Sequence, residues 1–226
     1  MTPLDRPIWS ALASRHAHLS EGGSLAKRYQ PTVSAFAATM DDTASSLQAL
    51  FDLSSDGRSL LFLQADTVKV PAGMTIVSAA AAVQMIASHP STVEQDDRIA
   101  LLGEADIPAM QALAELTKPG PFTARALELG AFWGVKEDGR LLAMAGERMK
   151  PQGFSEISGV CSHPDARGRG LAKRLSMFVA GRIIERGEEP FLHAYATNTA
   201  AIALYESIGF SVRSAMRVAV LQRAAN

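Results

Sequence analysis

Val160-Cys161-Ser162-His163-Pro164-Asp165-Ala166-Arg167-Gly168-Arg169-Gly170-Leu171-Ala172 is the densest chemical signal in this chain of 226 residues. It joins a strand-like run, Phe154 to Ser162, to a segment, Leu171 to Glu185, in which Leu171, Leu175, Phe178, Val179 and Ile183 share one helical stripe. Glycines at 168 and 170 let the backbone approach a ligand closely and turn its N–H groups inward. Those amides and the positive end of the following helix make a site for a pyrophosphate, with Arg167, Arg169 and Lys173 supplying local charge. For a Gly-x-Gly taken alone, the plain alternative is an ordinary strand-to-helix turn carrying solvated arginines.

Other phosphate motifs can be tested against the letters. The pattern Gly-x-x-x-x-Gly-Lys-[Ser/Thr] is absent, so a P-loop nucleotide hydrolase is not indicated. A dinucleotide fingerprint needs a third glycine where Lys173 stands and an acidic residue ending the next strand, whereas Glu188 and Glu189 precede that strand.

Composition narrows the partners. Lys plus Arg total 22 against 23 Asp plus Glu, a net charge of -1, so no global field draws the chain to nucleic acid or an acidic membrane surface. An aromatic content of 6% also offers few stacking platforms for bases. A single cysteine, Cys161, excludes an intramolecular disulfide framework and a multi-thiolate zinc site, and no metal is expected. The opening residues lack a basic stretch followed by an apolar run, and the most apolar segment, Ile76 to Ala87, is too short to span a bilayer. A cytoplasmic address is the expectation; oligomeric state stays open.

Working outward, the reading gives a small N-terminal α/β domain over residues 1–95 and a second domain over 96–226, divided at the polar, proline-marked stretch around Ser88-His89-Pro90. In the first, Ile8 to Leu19, Thr43 to Leu53 and Ile76 to Ser88 have helical spacing, and Leu60 to Ala65 has strand character. In the second, a strand at 98–102 leads to a helix opened by Asp106, and Thr123 to Leu129 reads as a second short helix. Strands at 131–136 and 140–147 flank Glu137-Asp138-Gly139, where Asp-Gly supplies the positive φ angles of a tight hairpin. The strand at 154–162 adds antiparallel to that hairpin. After the Leu171 helix come a strand at 190–196, a helix opened by Asn198 or Thr199 and closed by Gly209, and a final strand at 212–221.

These residues resemble the GNAT superfamily of N-acetyltransferases. Its acetyl-CoA loop, [Gln/Arg]-x-x-Gly-x-[Gly/Ala], is met by Arg167, Gly170 and Ala172, and its second block by Asn198, Ala201, Tyr205 and Gly209-Phe210. Gly-Glu-Ala-Asp at 103–106 and Thr-Lys-Pro-Gly-Pro-Phe at 117–122 resemble the FR47-like branch. The resemblance covers about 98–222 and implies a mixed, mostly antiparallel central sheet flanked by helices. The front third, matched less specifically, reads as a degenerate half-copy of the fold or a cap.

The resemblance also implies roles. The strand before the loop carries a bulge and splays from the strand at 191–196, so that backbone groups of Val160, Cys161 and Ser162 meet the pantetheine arm of acetyl-CoA. Arg167, Gly168, Arg169, Gly170, Leu171 and Ala172 hold the pyrophosphate, and Asn198 reaches the arm. Tyr205 donates to the departing thiolate; its spacing from Ile202 and Ile208 equally fits a core tyrosine. An attacking amine must lose a proton, for which Glu156 is the first candidate and His193 the second, each balanced by a structural alternative. Lys118 and Phe122 fall where the acceptor pocket is shaped. The expected activity is acetyl-CoA-dependent transfer to the primary amine of a small molecule or peptide by direct attack in a ternary complex. The alternative is a CoA-binding sensor without transferase activity.

Overall fold

A computed structural model describes residues 2–87, 89–93 and 95–224. The first third begins with α1 (Pro7–Leu12), whose proline sits at the tolerant start of a helix, and a small antiparallel sheet of β1 (Ser20–Gly22), β2 (Ala26–Tyr29) and β3 (Ala37–Thr39). Next comes α2 (Ala44–Leu53), capped by Thr43, whose hydroxyl accepts from the Ser46 amide at 3.3 Å. Two strands follow, β4 (Leu60–Gln64) and β5 (Met74–Ile86). The remainder supplies β6 (Ile99–Leu102), α3 (Ile107–Thr117), β7 (Phe132–Glu137), β8 (Arg140–Glu147), β9 (Phe154–Ser162), α4 (Leu171–Glu185), β10 (Glu189–Tyr195), α5 (Thr199–Glu206) and β11 (Ser211–Arg223).

Eight strands form one sheet in the order β4-β11-β5-β10-β9-β8-β7-β6, and of its junctions only β9–β10 is parallel. This is the mixed, mostly antiparallel sheet that the loop motif implied. The turn between β7 and β8 has Asp138 at φ 50° and Gly139 at φ 77°, as a two-residue hairpin requires.

Two expectations are corrected. The helix expected at 76–88 is a strand over Met74–Ile86: its alanines favour helix locally, but β5 pairs with β11 along its whole length and with β10 over Ala82–Ile86. The helix expected over 123–129 is a single short 3-10 turn, Ala126–Glu128. The sheet itself runs across the boundary expected at residue 95. β4 and β5 precede it, yet β5 lies between β11 and β10, hydrogen-bonded to both. The two sides of residue 95 also share a core, because Leu4, Ile8, Tyr29 and Phe36 are buried in one cluster with Met149, Phe191 and Met216.

On the other face, Leu171, Leu175, Val179 and Ile183 of α4 are buried against Trp133, Val135, Ile157 and Leu192. That packing fixes the start of α4 at the end of β9. No helix among the described residues is long and apolar enough to cross a membrane.

Candidate acyl-carrier site

Two irregularities in β9 build the site. Met144 stands opposite Cys161 and Gly146 opposite Ser158, so β9 spends three steps where β8 spends two. The extra residue is a bulge that re-aims the strand. Gly159 lies inside it at φ 64°, and a Cβ there would sit 2.7 Å from the Phe132 ring, so only glycine fits. Beyond the bulge, β9 and β10 part: their pairing runs from Phe154 with Glu189 to Ile157 with Leu192 and stops, although the strands continue to Ser162 and Tyr195.

A cleft open to solvent occupies the parting. Ser158, Gly159 and Val160 form one wall, His193, Ala194 and Tyr195 the other, and Asn198, Ala201 and Tyr205 of the α5 region a third. Its far end is closed by Phe36, Leu61, Leu63, Ala82 and Val218, with Arg148 and the loop Lys118–Pro121 beside them.

From the cleft, β9 leads into the glycine loop. Gly168 and Gly170 have φ of 76° and 72°, and nothing lies within 4 Å of where a Cβ at either position would be. Gly170 caps α4 without a side-chain hydrogen bond, and the first amide of that turn to find an acceptor is that of Arg174, on the Gly170 carbonyl at 3.0 Å. Among the described residues, the amides of 168–173 donate to no other group. Unsatisfied donors converging at the positive end of a fifteen-residue helix are an anion site.

The charges around the loop are unequal. Arg167 and Lys173 are exposed and have no ion partner among the described residues. Arg169 instead forks onto Glu137 of β7, with Nη1 3.0 Å from Oε2. Of the two arginines expected at the ligand, Arg169 already holds a carboxylate that the β7–β8 turn brings to it, while Arg167 holds none among the described residues.

Of the other residues singled out in the sequence, Val160, Asn198, Tyr205 and Lys118 line the cleft. Asn198 caps α5, its Oδ1 accepting from the Ala201 amide at 3.1 Å and leaving the side-chain amide free to donate. Tyr205 is buried except for a small part of its surface, and its hydroxyl has no hydrogen-bond partner among the described residues. Burial pushes its pKa up to about 12. Leu171 turns its side chain into the core, and Ser162 lies half-buried one step beyond the cleft.

Two expectations change here, for Phe122 and for Glu156. Cys161, expected to meet the arm through its backbone alone, turns its side chain into a cluster with Met110, Phe132 and Met144, where burial raises its thiol to about 11. Phe122 stands outside the cleft, edge-on to Phe132 at 5.5 Å, in a neighbouring groove shared with Lys118 and Tyr195. Glu156 is fully buried and does not line the cleft. Its carboxylate accepts from Arg148 Nε at 2.8 Å and Nη2 at 2.7 Å, from the Met149 amide at 3.2 Å and from His193 Nδ1 at 2.7 Å. Burial alone would raise its pKa, but the Arg148 guanidinium prevails and holds it down at about 2.

His193 is no freer. Its Nδ1 serves Glu156, and its Nε2 accepts from Gln84 Nε2 at 3.0 Å, which also donates to the Leu4 carbonyl at 2.9 Å. Gln84 Oε1 takes a bond from Arg213 Nη1 at 2.7 Å, which fixes the amide's orientation and so the histidine's tautomer. Both nitrogens of a neutral imidazole are thereby engaged.

Sequence reasoning missed Arg148 and the apolar end of the cleft. Arg148 had a readable signal, an arginine and a glutamate flanking the Pro151–Gly153 turn between β8 and β9. Phe36, Leu61 and Leu63 had none, since they arrive from elements over a hundred residues away from Tyr205 in sequence.

Comparison with known proteins agrees with this geometry. The family model of FR47-like proteins matches residues 132–218, the span from β7 to β11 that holds the bulge, the loop and α5. No curated protein matches the chain. A crystal structure from Novosphingobium aromaticivorans, of a protein assigned to the GNAT family of acetyltransferases, is 40% identical over 100% of both chains, with a TM-score of 0.93. A GCN5-related N-acetyltransferase from Kribbella flavida covers 100% of this chain and 98% of its own at a TM-score of 0.68; at 16% identity that likeness bears on the fold alone. An open amide nest after a bulged and splayed β9, together with full-length identity at this level, means that the chain belongs to the GNAT family of acetyltransferases.

Proposed function

We propose that the protein transfers an acetyl group from acetyl-CoA to a primary amine within a ternary complex. The observation that carries this reading is the run of unsatisfied amides at 168–173, opening from the same strand whose bulge borders a cleft of the right kind for a thioester arm. In this reading Arg167, Gly168, Arg169, Gly170, Leu171 and Ala172 hold the pyrophosphate, chiefly through backbone. Val160, Cys161 and Ser162 pair with the pantetheine through theirs, and Asn198 donates its free amide to it.

The amine nitrogen attacks the thioester carbonyl, forming the C–N bond. The C–S bond then breaks and the thiolate leaves, taking up the proton that the nitrogen sheds. Tyr205 supports that departure as a hydrogen-bond donor. With its pKa near 12, handing its proton fully to a thiolate whose conjugate acid titrates at about 8.5 would be uphill by roughly 5 kcal/mol, so it donates without losing the proton. Glu156 and His193, fully engaged with each other and with Arg148 and Gln84, position the cleft wall rather than take the proton. The amine enters as its free base, a form that the cations Arg148 and Lys118 favour.

Those engaged groups are also what a CoA-binding sensor would display. Two measurements separate the readings. Acetyl-CoA and CoA raise the melting temperature and NADH does not, since a ligand at about a hundred times its Kd stabilises by about 2.7 kcal/mol. Thiol release then appears with an amine panel for a transferase and with no amine for a sensor. A melting temperature indifferent to acetyl-CoA defeats both.

A further inference from the structure

The geometry points to an acceptor that carries a carboxylate beside its amine and an apolar body, the chemistry of an apolar amino acid, with Arg148 and Lys118 as its anion contacts. This rests on the acyl-transfer reading and names the class of molecule filling the far end of the same cleft. Three observations support it.

Arg148 is the first. One edge of its guanidinium, Nε and Nη2, is spent on Glu156 at 2.8 and 2.7 Å, while Nη1 has no partner among the described residues. Arg148 lines the cleft, and the space a Cβ on Gly120 would take is 3.8 Å from Nη1, so the free edge faces the loop that roofs the acceptor end. The group is also held rigid, since its Cζ lies 4.9 Å from the centroid of the Phe36 ring and its partner Glu156 is buried. A planar guanidinium with one edge anchored and the other open is prepared for a second carboxylate.

The second observation is the charge balance of the lining. Glu156 neutralises Arg148 from behind, Lys118 stands exposed at the rim, and no Asp or Glu lines the cleft among the described residues. A polycationic amine would meet Lys118 and an arginine edge with no carboxylate to receive its extra charges, which costs binding. A carboxylate-bearing amine places its anion on those donors and its nitrogen away from them. Third, Phe36, Leu61, Leu63 and Val218 make the remaining wall apolar, which suits a hydrocarbon side chain.

The test follows thiol release from acetyl-CoA by the full chain, offering leucine and phenylalanine, each beside its amide and its decarboxylated amine. Spermidine and a lysine-containing peptide run in parallel. The expected result is a kcat/KM for the amino acids about tenfold to a hundredfold above both uncharged analogues, the worth of a hydrogen bond to a charged group. Lys118→Ala, at an exposed position, lowers that ratio several-fold through KM. Arg148→Lys keeps a cation beside Glu156 but loses the free edge, and brings the ratio toward one. A wild-type ratio at or below one overturns the proposal. Turnover confined to spermidine or the peptide also overturns it, while leaving acyl transfer standing. Thiol release with none of the amines removes the transferase reading and this inference together.

Discussion

Arg148 and Glu156, on opposite sides of the β8–β9 turn, form a two-pronged ion pair in which the carboxylate is wholly removed from solvent and the guanidinium nearly so. The pair joins the cleft wall to the core, since Glu156 also receives His193 and the Met149 amide. Glu156→Gln leaves a buried guanidinium without its counter-charge and is expected to destabilise the fold by about 3–5 kcal/mol. Because the pKa of Glu156 is depressed from 4.5 to about 2, the pair's contribution is complete above pH 4.5 and is lost as pH falls toward 2. Denaturant melts of wild type and variant at pH 7 measure the loss. In kinetics the variant's pH–rate profile keeps its shape; disappearance of a limb would mean that Glu156 takes the proton itself.

What the sequence made legible was local. The Asp138-Gly139 turn, the Gly170 entry to α4, the Asn198 cap and the stripe Leu171–Ile183 obey rules spanning a few residues, and each is present. The long strand β5 was illegible because Ala79 to Ala82 favour helix, while the partners that make it a strand, β10 and β11, lie over a hundred residues downstream. The same distance hid the acceptor end of the cleft. Glu156 illustrates a third kind of failure: its place on β9 was right, but strand alternation does not say that Arg148, His193 and the Met149 amide would occupy its oxygens.

Tyr205 lines the cleft with a hydroxyl that has no partner among the described residues, so removing that oxygen costs the fold little and the reaction more. Tyr205→Phe is expected to lower kcat about 10–100-fold while the Kd for acetyl-CoA, read by calorimetry, changes less than twofold. An unchanged kcat in a folded variant would return Tyr205 to the role of a core aromatic, packed against Phe210 at 6.2 Å.

Arg167 and Arg169 sit two residues apart on the loop but differ in what they already hold. Arg169 is paired with Glu137 at the surface, and Arg167 has no partner among the described residues. Arg167→Ala should raise the Kd for CoA by about tenfold, the worth of one charge-assisted contact to phosphate. Arg169→Ala should raise it less, and Glu137→Gln, by releasing Arg169, should tighten binding. Equal effects of the two arginine variants would show that the Glu137 pair opens when CoA arrives.

His16 gives the fold a dependence on pH near neutrality that is separate from the cleft. Its ring is buried, with Nδ1 2.8 Å from the Tyr29 hydroxyl, and burial, reinforced by the nearby Lys150 charge, pushes its pKa down from 6.5 to about 4. Below pH 6.5 the unfolded chain therefore takes up a proton that the folded chain refuses. Stability is level above that pH, declines as pH falls, and stops declining from this source once the folded histidine itself titrates near 4. Between pH 6.5 and 5 the loss is about 2 kcal/mol, at about 1.4 kcal/mol per unit. His16→Gln offers the Tyr29 hydroxyl an amide oxygen in place of the ring nitrogen and has no proton to gain. Urea melts at pH 7, 6 and 5 should show wild type losing stability across that range and the variant losing markedly less. Parallel curves would place the acid sensitivity elsewhere.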